Sequence, residues 1–236
     1  YTNANNESLC RYADRDWDVL LDDMAAGGMN SLVVMVKQYV TGYRSALPWL
    51  DQPMDNPVVA QDNRPVHRAI AEAHRRGIRV WLGAVCNMFQ VPPFDLVPCL
   101  GKRVGSMGVY DQDQPGLAER MTAVMAELAR LFPAADGLIV EVENVDRMPP
   151  HRVTLFDQWA GAEGEPSFAE VTAGPIDVRW QKGMTVIRRF LTDRRAWLCR
   201  LIESAVRAEG FAGQLALITE CGSHEGSYLC STLYAR

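Results

Sequence analysis

Two glutamates, Glu141 and Glu143, have the residue type and spacing best suited to chemistry in this sequence. They belong to an apolar run that predicts a β-strand over residues 138–142. Because side chains alternate along a strand, both carboxylates share one face with Ile139, and the other face carries Leu138, Val140 and Val142. An inward carboxylate can act as a general acid, a general base or a nucleophile; the alternative is an ion pair with a neighbouring Arg or Lys.

Polar side chains also follow three other predicted strands, where each strand ends. They are Lys37, Gln38 and Tyr39 after strand 32–36, Cys86 and Asn87 after strand 78–85, and Thr219, Glu220 and His224 at the end of strand 214–219. The carboxyl ends of parallel strands meet at one edge, so we expect these groups to share a rim with the glutamates. The substrate-binding residues expected there are Lys37, Tyr39, Tyr43, Asn87, Asn144 and Glu220. For each residue alone, an ordinary loop position is the alternative.

Helices alternate with these strands. Apolar spacing of three and four residues predicts helices over 16–29, 65–76, 115–132 and 178–209, the last with a break near Thr192. Residues 86–114 are predicted as a loop, and residues 146–177 as irregular, because both are rich in proline and glycine. The first helix precedes the first recognisable strand, which indicates that an earlier strand is missing or hidden within residues 1–12.

The alternation predicts an α/β fold with parallel strands, because a parallel connection needs a crossover. Long segments after the strands and short ones before them favour a (β/α)8 barrel of the TIM type, whose functional loops follow the strands. The alternative is a doubly wound open sheet, but its usual glycine-rich nucleotide motif does not occur. We expect residues 1–236 to form a single incomplete catalytic barrel domain, an N-terminal fragment that holds strands one or two to five.

The composition of the chain limits the kinds of partner that it is expected to bind. The net charge is −5 without a notable run of Lys or Arg, which argues against nucleic acid and anionic membrane surfaces. No stretch approaches the roughly 18 apolar residues of a membrane span. The six cysteines form no CxxC pair and the four histidines form no metal pattern, so we expect neither a metal nor a cofactor. We expect a cytoplasmic protein, with secretion as the alternative, and uncovered sheet edges would allow an oligomer.

Three segments resemble (β/α)-barrel glycoside hydrolases of the α-fucosidase-like kind and their uncharacterised relatives. They are residues 28–37, which end a strand in lysine and are followed by Gly42-Tyr43-Arg44; residues 69–80, a helix, Gly-Ile and a strand; and residues 127–143, a helix and a strand that ends in carboxylates. The resemblance covers about residues 16–146. It implies a barrel enzyme that hydrolyses glycosidic bonds, with a carbohydrate substrate.

The chain departs from that family at positions that matter for mechanism. Gln38 and Tyr39 stand where the fucosidase type has histidines, and a glutamate stands where its strand-four nucleophile is usually aspartate. In another large clan of retaining glycosidases an asparagine precedes the strand-four acid/base, whereas Asn144 follows Glu143 here. Two further functions therefore stay open: a barrel lyase or isomerase that uses Lys37, and a sugar-binding barrel without catalysis.

Overall fold

The structure is a computed structural model that describes residues 2–5, 12–37, 41–50, 62–90, 103–104, 107–142, 148, 150–173 and 184–219. In chain order its elements are β1 (Thr2–Asn5), α1 (Asp14–Ala26), β2 (Ser31–Lys37), α2 (Arg64–Arg75), β3 (Arg79–Val85), β4 (Met88–Gln90), β5 (Arg103–Val104), β6 (Met107–Val109), α3 (Leu117–Leu131), β7 (Gly137–Val142), α4 (Pro150–Glu163), α5 (Phe168–Val171), α6 (Met184–Ala208) and β8 (Gln214–Thr219). None of these helices is long and apolar enough to cross a membrane.

Five strands form one parallel sheet in the order β1-β2-β3-β7-β8. The register pairs Val34 with Leu82, Leu82 with Leu138, and Leu138 with Leu215. β1 pairs with β2, which confirms that a strand is hidden within residues 1–12. The four strands recognised from the sequence are therefore the second to fifth strands of this sheet, and they keep their chain order in space.

The helices that pack on the described sheet lie on one of its faces. The apolar sides of α1, α2, α3 and the C-terminal half of α6 join β2, β3 and β7 in one large core, which includes Leu21, Ile70, Leu128, Ile202 and Leu138. The opposite face carries a smaller cluster of Val33, Met35, Val85 and Ile139, against which Trp81 and Ala216 pack. A doubly wound sheet has helices on both faces and a reversal of strand order, so the described part has the barrel arrangement instead.

The two clusters confirm the predicted faces of β3 and β7. The side toward the helices carries Val80, Leu82, Ala84, Leu138, Val140 and Val142. The inner side carries Trp81, Val85 and Ile139. Both sides pack against other side chains, as expected for parallel strands with helices outside and a filled interior.

Two segments predicted to be irregular contain regular structure. Within residues 86–114, β4, β6 and β5 pair antiparallel as a separate three-stranded sheet. Within residues 146–177, α4 begins at Pro150, a residue that the first turn accepts because its N–H would be unused there. α5 begins after Ser167, whose hydroxyl accepts the Glu170 N–H. The predicted break in α6 is also wrong, because the helix continues through Thr192.

Helices α4 and α5 and the N-terminal part of α6 have a core of their own. Phe156 lies at its centre, with ring centroids 5.7 Å from Trp159, 5.7 Å from Phe168 and 5.3 Å from Phe190. The buried positions of α4 are Arg152, Phe156 and Ala160. Because one of the three is an arginine, the sequence shows no apolar helical period here, and this is why the helix was not predicted.

Asp136 fixes the N-terminal ends of three strands. Its carboxylate accepts the Val80 N–H at 2.7 Å and lies 2.8 Å from His74 Nε2. Its backbone N–H donates to the Val80 carbonyl, and its own carbonyl accepts the Gln214 N–H, both at 2.9 Å. The residue before β7 thus ties β3, β8 and the end of α2 together, at the edge opposite the strand C-termini.

Gly137 starts β7 opposite Trp81, and the two strands approach closely there. A Cβ at position 137 would collide with the indole ring. We therefore expect Gly137→Ala to destabilise the fold by about 1–3 kcal/mol, the usual cost of overpacking. Urea unfolding of the purified chain measures this.

The control is Gly161→Ala, in α4. An added Cβ meets nothing within 4 Å at that position, so Gly161→Ala should stabilise the fold by about 0.5–1 kcal/mol through helix propensity. Equal free energies of unfolding for Gly137→Ala and the unchanged chain would contradict the close packing against Trp81.

Candidate functional site

Glu141 is the half-buried carboxylate next to the C-terminal end of β7. It pairs with Val85 of β3, and its carbonyl accepts the Cys86 N–H at 2.9 Å. Ile139, two residues earlier, lies in the inner cluster, so strand alternation directs the Glu141 side chain to the same inner face. Glu143 and Asn144 come directly afterwards and lie outside the described residues.

The inner face beneath Glu141 is filled by apolar side chains. Val33 and Met35 are each 3% exposed, and Ile139 is 5% exposed. Position 83 has no room for a side chain, because a Cβ there would meet the thioether of Met35 and lie against Ile139. Since this interior is packed, a substrate can approach Glu141 from the C-terminal rim of the strands.

Lys37 is a buried amine at the end of β2. The register with β3 shifts after Met35, so that Lys37 pairs with Ala84 and leaves the regular alternation of the strand. Its Nζ donates to the Val85 carbonyl at 2.7 Å, and the residue is 3% exposed. Burial lowers the pKa of Lys37 to about 8, an effect that Cys86 partly offsets. The position suits a residue that joins β2 to β3 beneath the rim.

Cys86 and Asn87, which follow β3, are fully buried. Burial raises the pKa of the Cys86 thiol to about 12, which argues against a thiolate nucleophile. Asn87 Nδ2 donates to the Tyr110 carbonyl at 3.0 Å, and the Tyr110 N–H donates to the Asn87 carbonyl at 2.9 Å. Asn87 therefore holds the segment after β6 against the end of β3.

Tyr43 lies in the core beneath the helices, away from the rim. Its side chain is fully buried, its ring meets Phe132 edge-on, and its hydroxyl donates to Glu127 Oε2 at 3.1 Å. Burial, with the charge of Glu127, raises the pKa of Tyr43 well above its ordinary value. We therefore withdraw Tyr43 from the expected substrate-binding residues, because its hydroxyl is engaged inside the protein.

Glu127 is a buried carboxylate that the sequence did not single out. Besides the Tyr43 hydroxyl, its oxygens accept Ser45 Oγ at 2.5 Å and the Ala46 N–H at 2.7 Å. The residue is 2% exposed and belongs to α3. It fastens the segment after β2 to the helix, since a buried carboxylate needs such donors.

A buried ionic network, also missed from the sequence, joins the segment after β6 to α4 and α6. Arg152 bonds to two fully buried carboxylates, those of Asp111 and Asp113. Arg194 Nε donates to Asp113 Oδ1 at 2.7 Å, and His151 Nε2 lies 2.8 Å from Asp111 Oδ2. The acidic pair at 111 and 113 was a weak signal, because its partners are 39 to 81 residues away in the chain.

The expected site residues are therefore only partly brought together by the described structure. Glu141, Lys37 and Asn87 lie at the ends of three neighbouring strands. The remaining expected residues, Tyr39, Glu143, Asn144 and Glu220, lie outside the described residues. Within the described ranges, no group of three His, Cys, Asp or Glu side chains is arranged to hold a metal ion.

Lys37 should make stability depend on pH. Its pKa is about 8 in the folded chain and near 10.5 in the unfolded chain, so above pH 8 the unfolded state binds more protons. The free energy of unfolding should therefore rise with pH, by about 1 kcal/mol between pH 7.5 and 9 from this group.

The comparison variant is Lys37→Met, which keeps much of the side-chain volume and does not titrate. Subtracting its unfolding free energies from those of the unchanged chain cancels most other titrations, including the opposite effect of Cys86 above pH 9. Parallel pH profiles from urea unfolding would show that the amine of Lys37 is not held in a desolvated position.

The buried network predicts a large loss on removal of its central cation. Arg152→Met leaves the carboxylates of Asp111 and Asp113 short of a partner, so we expect a loss of about 3–5 kcal/mol. The control is Arg64→Met, which breaks an exposed pair with Asp62 and should change stability little. Equal thermal unfolding of the two variants would contradict the importance assigned to the network.

No protein-family model matches the chain, and no curated protein matches it. Its fold is similar to that of a GH20 exo-β-N-acetylglucosaminidase from Vibrio harveyi, with 14% identity, a TM-score of 0.53 and coverage of 94% of this chain and 36% of that chain. It is similar to a β-galactosidase from the psychrophilic Marinomonas ef1, with 12% identity, a TM-score of 0.55 and coverage of 92% and 36%. It is also similar to a β-galactosidase from the Antarctic haloarchaeon Halorubrum lacusprofundi, with 13% identity, a TM-score of 0.52 and coverage of 88% of this chain and 34% of that chain.

The chain thus spans about a third of the length of these structures. At this level of identity the similarity concerns the fold, and it agrees with the sequential parallel strands and the helices on one face. The chain therefore folds as part of an α/β barrel of the TIM type, the arrangement that it shares with these glycosidases.

Proposed function

We propose that the chain contributes to the active centre of a glycoside hydrolase in which Glu143 and Glu141 are the carboxylates of the fourth strand. The observation that carries this proposal is the position of Glu141. It stands at the C-terminal end of β7, on the inner face and above a packed apolar interior. Carboxylates at that end of a barrel strand are placed for chemistry, whereas residues at the other end serve stability.

The two glutamates have different roles in this proposal. If the alternation of β7 continues to Glu143, its side chain would be on the same face and nearer the rim, and it would meet the substrate as acid/base or nucleophile. Glu141, one layer deeper, would orient it. Positions two apart on a strand are separated by roughly 6–7 Å. A glycosidic bond is usually flanked by two carboxylates from opposite sides, so we expect the second catalytic carboxylate to come from another strand.

The comparisons support a carbohydrate substrate but do not identify the sugar on which this chain would act. The solved structures of similar fold act, by their names, on β-N-acetylglucosaminides and β-galactosides. The resemblance of the sequence to α-fucosidase-like barrels adds α-fucosides as a third class. Aryl glycosides of these three classes are therefore the first substrates to test. Sugar binding without turnover would instead favour the non-catalytic barrel.

The catalytic proposal predicts distinct effects of two isosteric substitutions. Glu143→Gln should lower kcat about 10²–10⁴-fold with an unchanged Tm, because proton transfer or nucleophilic attack is lost while the shape is kept. Glu141→Gln should lower Tm or raise KM, because a half-buried partner is altered. Turnover of the aryl glycosides and thermal unfolding measure both.

The matched control is Glu203→Gln, an exposed residue of α6 far along the helix from the rim. It should keep both turnover and Tm. Loss of turnover in Glu141→Gln with normal folding, together with normal turnover in Glu143→Gln, would exchange the two roles. Normal turnover in both variants would refute the proposed mechanism.

A further inference from the structure

The described residues include two aspartate–histidine pairs of similar geometry at opposite ends of the strands. His74 Nε2 lies 2.8 Å from Asp136 Oδ2, and His151 Nε2 lies 2.8 Å from Asp111 Oδ2. The pair of His74 is at the N-terminal edge, because Asp136 directly precedes β7. Residues at that end of a barrel strand serve stability, whereas residues at the other end are placed for function. The position of His151 therefore decides what its pair can do.

His151 lies beyond the C-terminal ends of β3 and β7. It is the second residue of α4, which begins eight residues after β7 ends. Its partner Asp111 directly follows Tyr110, which Asn87 holds through the two hydrogen bonds described above. Asn87 comes two residues after the end of β3, and β3 pairs with β7. Both members of the pair are thus tied to the ends of two neighbouring strands, at the edge that also carries Glu141.

Asp111 holds the imidazole of His151 from a fully buried position. Its Oδ1 accepts a guanidinium N–H of Arg152 and, at 3.0 Å, the backbone N–H of Asp113, whereas its Oδ2 faces the imidazole. An ionised carboxylate only accepts hydrogen bonds, so Nε2 of His151 carries the proton between the two groups. A bond of this kind fixes both the orientation and the tautomer of a histidine ring.

The charges of the network balance without a second proton on His151. Two carboxylates, those of Asp111 and Asp113, are present. They face two guanidinium groups, those of Arg152 and Arg194. The imidazole therefore fits the network in its neutral form, in which Nδ1 keeps its lone pair and accepts a hydrogen bond.

The second ring nitrogen of His151 is accessible. The side chain is 34% exposed, although the carboxylate that holds it is fully buried. Within the part of the chain that the structure describes, Nδ1 makes no hydrogen bond, and it is not enclosed by other atoms. His151 thus presents an acceptor nitrogen to solvent beyond the strand ends, on a ring that is fixed from behind.

We propose that Nδ1 of His151 accepts a hydrogen bond from a hydroxyl group of the carbohydrate substrate, which makes His151 a specificity-determining residue. This inference rests on the proposed function for the class of ligand. An uncharged nitrogen acceptor matches a hydroxyl donor, and a sugar ring presents such donors at several positions. A sugar without the matching hydroxyl leaves the acceptor without its partner, so the imidazole discriminates between sugars.

The test is calorimetric binding of three methyl glycosides to the full chain: methyl N-acetyl-β-glucosaminide, methyl β-galactoside and methyl α-fucoside. At least one of them should bind to the unchanged chain. His151→Gln should weaken that binding about 2- to 10-fold, the effect of one hydrogen bond between neutral groups.

Monodeoxy analogues of the glycoside that binds identify the hydroxyl. One analogue should bind the unchanged chain about 2- to 10-fold more weakly than its parent, yet it should bind His151→Gln as tightly as the parent does. A purely structural role of His151 would instead change the affinity for all analogues alike.

Two substitutions separate binding from folding. His151→Gln keeps an amide N–H that reaches Asp111 but removes the acceptor at Nδ1, so Tm should be unchanged while binding weakens. His151→Asn places its amide near the position of Nδ1 and does not reach Asp111, so Tm should fall while more of the binding is kept. The matched control is His74→Gln, which alters the equivalent pair at the opposite end of the strands and should keep binding.

Failure of all three glycosides to bind would overturn the proposal, as would equal binding by the unchanged chain and His151→Gln. An equal loss in His74→Gln, or a loss that is the same for every deoxy analogue, would also overturn it. The readout is binding, so turnover tests the proposed function separately. Binding that depends on His151 without hydrolysis would reject the proposed function alone, and hydrolysis without this dependence would reject the role of His151 alone.

Discussion

Coverage of the sheet by helices on a single face is the constraint on which the rest of this structure depends. The strands must fill the other face with their own side chains, and Val33, Met35 and Ile139 do so with apolar groups. An unpaired charge inside this packed interior would be costly, so charged groups are tolerated where the strands end. Glu141 stands at one of these ends, and the proposed chemistry follows from that position.

The sequence predicted the elements whose signals are local. Continuous apolar runs marked four strands, and strict alternation assigned Ile139 and Leu138 to opposite faces. It failed where distant partners decide. Tyr43 looked like a rim residue, because nothing nearby in the sequence announces its bond to Glu127, 84 residues away. α4 was missed because a buried arginine, Arg152, occupies one of its inward positions.

The ionic network connects two segments of the chain, one that follows β3 and one that follows β7. Asp111 and Asp113 belong to the segment that follows β3 and β6, whereas Arg152 and Arg194 belong to helices inserted after β7. Buried ion pairs of this kind add little net stability compared with apolar packing, but they tolerate few alternative geometries. The network therefore fixes the position of helices α4 and α6 relative to the strand ends.

The hydrogen bonds of Asp136 have a consequence for how the chain assembles during synthesis. Its carboxylate accepts the N–H of Val80, 56 residues earlier, and lies against the imidazole of His74, 62 residues earlier. The start of β3 thus leaves the ribosome long before its acceptor exists, and β8 emerges later still. Such non-local pairing slows folding. Until Asp136 is synthesised, β1, β2 and β3 are held together by their own ladder hydrogen bonds and by apolar contacts, and the edge of β3 that later pairs with β7 is open to association with other chains.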